Sequence, residues 1–210
     1  TQGPFDYQEA VEALQHVFGI AEICPVVIVE SKPVEELGKD LISYVEHAYP
    51  VHNQTFKMHV RRANKRYPGT SMELNAEFGG ILLEAFPQMR VDVHNPEIFL
   101  QVEIREKVYI YSQSIPGPGG MPVGTNGKAM LLLSGGIDSP VAGHMMAKRG
   151  LELEAVHFFS YPYTSQEAKQ KTLHLAELLA EYCGPVRVHV VPFTKVQDQI
   201  RRNCQEDLFT

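Results

Sequence analysis

Apolar positions along this chain recur with two different periods. Between residues 6 and 18, Val11, Leu14, Val17 and Phe18 fall three or four apart, the spacing of a helix with one apolar stripe. Asp6 with Glu9 three places on makes a capping-box-like start and Gly19 a stop, so a helix is predicted over 6–18. Ala21 to Val29 reads as a strand of edge type, because Pro25 after Cys24 interrupts any hydrogen-bond ladder. Pro33 opens a second helix, whose stripe is Val34, Leu37, Leu41, Tyr44 and Val45. The period then changes to two. Phe56, Met58 and Val60 alternate with Lys57, His59 and Arg61, which predicts a strand with one buried and one basic face. Thr70 and Glu73 form a capping box for a helix running to Ala85. Its interior pair Gly79-Gly80 costs roughly 1 kcal/mol per residue, so another backbone, of protein or RNA, is expected to approach closely there. A short strand from Val91 ends in a turn at Pro96 that His94 is expected to cap or satisfy. Ile98, Leu100, Val102 and Ile104 alternate with polar residues, and the run from Val108 to Gln113 completes a hairpin. Together, residues 20–114 read as an α+β module.

From 115 to 127 the periodicity stops. Pro116, Gly117, Pro118, Gly119, Gly120, Pro122, Gly124 and Gly127 describe a linker between modules. Beyond it the apolar run Ala129 to Leu133 enters Ser134-Gly135-Gly136, and a helix follows that has Pro140 near its start and Gly150 at its end. Leu153 to Phe159 is a second buried strand, 165–183 a helix and Val186 to Val191 a third strand. Strands alternating with helices predict a doubly wound parallel α/β sheet over 128–210, with ligands at the carboxyl ends of its strands.

That strand–loop–helix order carries the clearest chemistry. A helix start preceded by two glycines presents free N–H groups and a positive dipole end, with no Cβ in the way of phosphate oxygens. Ser134 and Ser139 add hydroxyls, and Asp138 is placed to hold a metal ion accompanying a polyphosphate. Gly127-Lys128 does not make the other common phosphate loop, since Pro122 and Ala129 break its pattern and it precedes a strand. His157 and Phe158, at a strand end, are candidates for the adenosine side. The 210 residues carry a net charge of −6, so a nucleic-acid site has to come from local clustering. One cluster exists: Lys57, Arg61, Arg62, Lys65 and Arg66, with Tyr67 among them and no acid from 55 to 69. Cys24, Cys183 and Cys204 are scattered and unpaired, which argues for a reducing cytoplasmic setting and against zinc, iron–sulfur or disulfides. No protein metal cluster, signal peptide or membrane-spanning run is read.

Ser134-Gly135-Gly136-Ile137-Asp138-Ser139 resembles the SGGxDS signature of the PP-loop ATP pyrophosphatases. Phe56 to Arg62, Glu73 to Gly80 and Val91 to Pro96 resemble the THUMP domain, an RNA-binding module of tRNA-modifying enzymes. A THUMP-like module, a Gly/Pro linker and SGGIDSP followed by Ala155-Val156-His157-Phe158 are together similar to the tRNA 4-thiouridine synthetase (ThiI) family. The resemblance implies ATP-dependent adenylation of uridine 8 of tRNA and sulfur transfer from a cysteine persulfide, with a possible link to thiamine thiazole synthesis. It further implies that Ser134, Gly135, Gly136, Asp138 and Ser139 take the phosphates and Mg2+, with Asp138 catalytic. Leu132, Leu133, His157 and Phe158 would line the adenosine, and the 57–66 cations would meet tRNA. A cysteine desulfurase partner and a homodimer are implied as well. On this reading 1–25 closes an N-terminal ferredoxin-like domain, the PP-loop domain is incomplete, and neither Cys183 nor Cys204 matches the sulfur-carrying position. A non-catalytic RNA-binding module and another PP-loop enzyme, such as a tRNA-lysidine synthetase, are the alternatives; C-x-x-C thiolases are excluded by the cysteine spacing.

Overall fold

Residues 6–204 are described by a computed structural model. In chain order they form α1 (Tyr7–Gln15), β1 (Glu22–Ile23), β2 (Val27–Glu30), α2 (Val34–Ala48), β3 (Thr55–Arg62), α3 (Ser71–Ala85), β4 (Arg90–Val91), β5 (Ile98–Ile104) and β6 (Lys107–Tyr111). Then come β7 (Ile115–Pro116), β8 (Lys128–Leu132), α4 (Asp138–Lys148), β9 (Glu152–Phe159), α5 (Gln166–Cys183), β10 (Arg187–Pro192) and α6 (Thr194–Asn203). The chain divides into two compact units. One is Cys24–Ile115; the other joins the described residues before Cys24 to those after Ile115.

In the first unit a five-stranded sheet has the order β2-β6-β5-β3-β4. β3 runs parallel to β4 and β5, while β6 is antiparallel to β5 and β2. The period-two pattern does what it predicts: Phe56 and Val60 on β3 and Ile98, Leu100, Val102 and Ile104 on β5 are buried, in one cluster with Leu37, Leu41 and Val45 of α2 and Leu74, Phe78 and Leu82 of α3. The hairpin forms with Val102 opposite Ile110 and Ile104 opposite Val108. α3 starts on the expected capping box, the Thr70 hydroxyl accepting from the Glu73 N–H at 3.2 Å and the Glu73 carboxylate from the Thr70 N–H at 2.7 Å.

Three local expectations change here. The single strand expected over 21–29 is two, β1 and β2, and the break at Cys24-Pro25 coincides with the boundary between units. No other part of the protein makes the close approach expected at Gly79-Gly80, since a Cβ on either residue meets nothing within 4 Å. The turn after β4 is held by Asp92, whose Oδ1 accepts from the N–H groups of His94 and Asn95 at 2.9 and 3.0 Å. Those bonds, from Asn95 first and then His94, hold the Asp92 carboxyl below its ordinary range. An Asx carboxylate outcompetes an imidazole for two adjacent N–H donors.

The second unit is built on three parallel strands in the order β10-β9-β8. Leu133, Ala155 and Ala176 form one small core with Leu131 and Val188 against it. α4 and α5 lie close on this face: a Cβ on Gly143 would stand 2.8 Å from Leu131 Cδ2 and 3.2 Å from Leu179 Cδ1. Met130 and Leu132, alternating with Leu131, are exposed. α1 ends at Gln15 and buries none of its residues. Of the stripe expected there, Phe18 alone is buried, packed with Ala147 and Leu153 and in ring contact with His144 and Tyr182. Residues 6–23 lie in the same compact unit as α4 and α5. The Gly/Pro stretch is likewise tied down. Gly117 and Gly119 donate to Ala21 and Ile20, Met121 donates to Lys148, and Asn126 donates to Gly150. After β7, Pro and Gly break regular elements but leave carbonyl and N–H groups free for such irregular pairing.

Candidate functional site

Polar chemistry gathers at two places, one in each unit. The first is the loop between β8 and α4. β8 ends at Leu132, and Leu133 is still held in register by its N–H to the Val156 carbonyl at 2.9 Å. The chain then turns through Ser134-Gly135-Gly136-Ile137 into α4, which starts at Asp138, so Pro140 lies inside the first turn. Ser139 closes the loop on itself. Its hydroxyl accepts from the Ser134 N–H at 3.1 Å and lies 3.3 Å from the Ser134 hydroxyl. The Gly136 N–H points back to Ser134 Oγ at 3.4 Å.

Neither Gly135 nor Gly136 has a positive φ. A Cβ on Gly136 would stand 3.6 Å from Ser134 Oγ, and one on Gly135 3.8 Å from Lys171 Cδ and from Thr172 Oγ1. These are ordinary contacts, so neither backbone conformation nor protein packing demands glycine. What the missing side chains leave open is the solvent side of the loop, where the N–H groups of the α4 start are unpaired. Asp138, exposed at the first position of α4, has no hydrogen-bond or ion-pair partner among the described residues.

The neighbouring candidates separate into inward and outward groups. His157 is 7% exposed, and its Nδ1 lies 3.1 Å from the Leu133 carbonyl. Since a carbonyl only accepts, Nδ1 is the donor, and Nε2 is buried with no partner among the described residues. His157 therefore ties the end of β8 to β9 from beneath the loop. Phe158 points the other way, half exposed and edge-on to Phe193 at 5.2 Å. Leu133 is buried and Leu132 exposed, so side-chain contact with an adenosine is open to Leu132 and Phe158, whereas Leu133 and His157 offer it backbone only. Cys183 donates its Sγ–H to the Leu179 carbonyl at 3.1 Å, and burial pushes its thiol up, the opposite of an activated nucleophile.

The second place is the basic region at the end of β3 and the β5–β6 hairpin in the Cys24–Ile115 unit. Arg61, Ala63, Asn64 and Arg66 line an open depression of about 800 Å³ with Glu103, Arg105, Glu106 and Tyr109 of the hairpin. Parallel pairing sets Arg61 opposite Glu103, whose carboxylate takes Arg61 at 3.4 Å and Arg105 at 3.0 Å. Arg105 in turn lies over the Tyr109 ring. The expected cations do not all face outward. Arg61, Lys65 and Arg66 are exposed. Lys57 donates to the Val93 carbonyl and sits 5.7 Å from the Phe99 ring centroid. Arg62 is turned inward, donating to the Tyr67 carbonyl at 2.8 Å with its Nε buried. Arg105 and Tyr109 are additions that local sequence could not supply, because the β3–β5 register brings them to the cluster across some forty residues. No group of three or more His, Cys, Asp or Glu able to hold a metal ion occurs among the described residues. No described helix is long and apolar enough to cross a membrane.

Two family models match the chain: THUMP domain over residues 31–113, and Thiamine biosynthesis protein (ThiI) over residues 124–210. A probable tRNA sulfurtransferase of Lachnospira eligens is 54% identical over 207 residues, covering 98% of this chain and 53% of that protein. That of Agathobacter rectalis is 52% identical over 210 residues, covering 100% of this chain and 53% of its own length. A crystal structure of a 4-thiouridine synthetase–RNA complex with bound ATP matches with a TM-score of 0.83 at 39% identity, over 97% of this chain and 54% of that one. The chain spans about half the length of the curated relatives it matches.

Proposed function

Because this chain belongs to the ThiI family, with a THUMP domain ahead of a PP-loop domain, we propose that the protein is a tRNA sulfurtransferase making 4-thiouridine. In this reading residues 20–114 bind the tRNA and residues 128–210 activate it with ATP. Residues 1–25 are the trailing end of a ferredoxin-like domain. The observation that carries the proposal is the Ser134–Ser139 loop. Its open side presents hydroxyls and helix-start N–H groups to a polyphosphate, in a chain whose other unit bears a patch of exposed arginines.

The chemistry asks for such a loop. Uridine O4 attacks the α-phosphorus of ATP and pyrophosphate departs, so negative charge builds on the bridging and terminal oxygens. Fixed N–H donors and hydroxyls aimed at those oxygens lower the barrier without a protein nucleophile. The terminal sulfur of a cysteine persulfide then attacks C4 and AMP departs; a second thiolate attacks the remaining S–S bond, which releases the 4-thiouridine and leaves a disulfide that an external thiol reduces before the next turnover. Mg2+ suits one free carboxylate plus phosphate oxygens, and the unpartnered Asp138 at the loop fits that need. The ion would neutralise charge on the departing pyrophosphate. Arg61, Lys65 and Arg66, joined by Arg105 and Tyr109, would take the tRNA backbone, whereas Arg62 supports them from inside. A cysteine desulfurase as sulfur donor, a homodimer, a cytoplasmic location and sulfur transfer for thiamine complete the proposal.

The test is pyrophosphate release and tRNA binding with an unmodified tRNA transcript and ATP–Mg2+, using the full-length protein. Asp138→Ala should abolish pyrophosphate release while tRNA still binds. Arg61→Glu with Arg66→Glu should weaken tRNA and leave ATP binding intact. Unchanged ATP turnover in Asp138→Ala would refute the loop assignment.

A further inference from the structure

The phosphate loop carries no cation of its own. From Ala129 to Ala147 there is no Lys or Arg, and Asp138 adds a negative charge. The other common phosphate loop builds a lysine into its own motif. Here a cation arrives from a different element. Lys171, in the second turn of α5, runs its side chain past the loop, its Cδ standing 3.8 Å from where a Cβ of Gly135 would be. Thr172 flanks the same point, but its hydroxyl is spent on the Ala168 carbonyl at 3.0 Å, and the residue is fully buried.

The ammonium of Lys171, two bonds beyond Cδ, is exposed and has no ion-pair or hydrogen-bond partner among the described residues. Nearby lysines are engaged. Lys169 lies 5.3 Å from the Phe159 ring centroid, and Lys128 pairs with Glu152 at 2.7 Å at the far end of β8. The open side of the loop therefore lacks a counter-charge that Lys171 is placed to bring. We propose that Lys171 is a phosphate-binding residue of the nucleotide site, pairing with the β- or γ-phosphate of ATP and with the pyrophosphate that leaves. The assignment rests on the nucleotide reading given above. Lysine suits it, because its compact charge on a flexible stem follows the phosphate as pyrophosphate separates. Gly135 then has a second use: any side chain there would lie against the lysine stem and restrict its swing.

Equilibrium binding of ATP, inorganic pyrophosphate and adenosine to the full chain tests this, comparing the unaltered protein with Lys171→Met, Lys171→Arg and, as a distant control, Lys128→Met. A charge-assisted contact of this kind predicts an ATP and pyrophosphate affinity loss of about 10- to 100-fold in Lys171→Met. Adenosine binding should be unchanged, Lys171→Arg should recover most of the loss, and Lys128→Met should match the unaltered protein. A parallel readout is acylation of Lys171 by an amine reagent, which ATP should block and adenosine should not. If Lys171→Met binds ATP as well as the unaltered chain, or loses ATP and adenosine equally, the assignment is overturned while the nucleotide site stands. If the unaltered chain binds neither ATP nor pyrophosphate, both fall.

Discussion

Gly79 and Gly80 sit in the middle of α3, and their replacement by alanine is expected to stabilise the Cys24–Ile115 unit. Each has helical backbone with φ below zero, and a Cβ at either meets nothing within 4 Å, so no steric cost opposes the change. The gain is the helix-propensity difference, about 0.8–1.0 kcal/mol per site, partly through a less flexible unfolded chain. With no atom for the two new methyl groups to share, the double variant should gain close to the sum, about 2 kcal/mol. For a cooperative unit of roughly 60–100 residues that raises Tm by about 8–16 °C. Chemical denaturation and calorimetry of single and double variants measure it. A loss of stability at either position would mean that the groove between α3 and β3 is filled in the folded protein, and the open geometry would be wrong. The groove is lined by Lys57, Met72, Val91 and Val93 as well as by the glycines. Nothing inside the unit accounts for keeping two destabilising residues there. A gain in stability paired with weaker tRNA binding would place RNA in that groove, which is the second half of the same experiment.

The same substitution has the opposite sign elsewhere. Gly143→Ala would bring a methyl group 2.8 Å from Leu131 Cδ2 and 3.2 Å from Leu179 Cδ1, and should cost about 1–3 kcal/mol by overpacking, read by the denaturation midpoint of the PP-loop unit. Thr70→Ala removes the α3 N-cap bond to Glu73 and should cost about 1 kcal/mol in the same assay on the THUMP unit. Asp92 has its folded pKa depressed by the N–H groups of Asn95 and His94. Its contribution is therefore present above the unfolded value of about 3.9 and is lost as pH falls through the folded value. Asp92→Asn should flatten the acid limb of the stability profile and leave neutral pH nearly unchanged if the amide oxygen keeps the turn. Ser139→Ala removes the hydroxyl that closes the phosphate loop. It should change folding stability by about 1 kcal/mol or less, because the freed N–H of Ser134 reaches water, yet weaken ATP severalfold in a binding titration.

What the sequence could say about this chain was local, and where it went astray the missing information was about neighbours. The Thr70–Glu73 box, the alternation along Phe56 to Val60 and Ile98 to Ile104, and the SGGIDS turn depend on residues within a few positions of one another. All four formed as expected. The α1 stripe is equally local in form, but a stripe only says that a face is apolar, not that something lies against it. Val17 remains half exposed because the partner elements, α4 and α5, meet Phe18 instead. The Gly/Pro stretch is a different case. Composition shows that it is irregular, but its partners at Ile20, Ala21, Lys148 and Gly150 are contacts that no window around 117 contains.

The same reasoning sorts the site residues. Loop members Ser134 to Ser139 are near each other in sequence and lie together in the fold; residues that join a cluster from another strand or helix are invisible to a local window. Arg62 looked like its neighbour Arg61, but consecutive strand residues face opposite ways, so one cation of the pair had to turn inward, where the Tyr67 carbonyl accepts from its guanidinium and the Ser71 hydroxyl from its backbone N–H. Period-two alternation already contained that answer. It likewise divides His157 from Phe158 on β9, putting the imidazole beneath the loop and the phenyl ring outside it. Arg105, Tyr109 and Lys171 carried no comparable signal, since each reaches its place through a pairing or packing that only the folded chain defines. If the loop takes the nucleotide as proposed, the motif alone does not carry the cation, because the motif and Lys171 are joined by the packing of α5 against the loop and by nothing in the sequence between them.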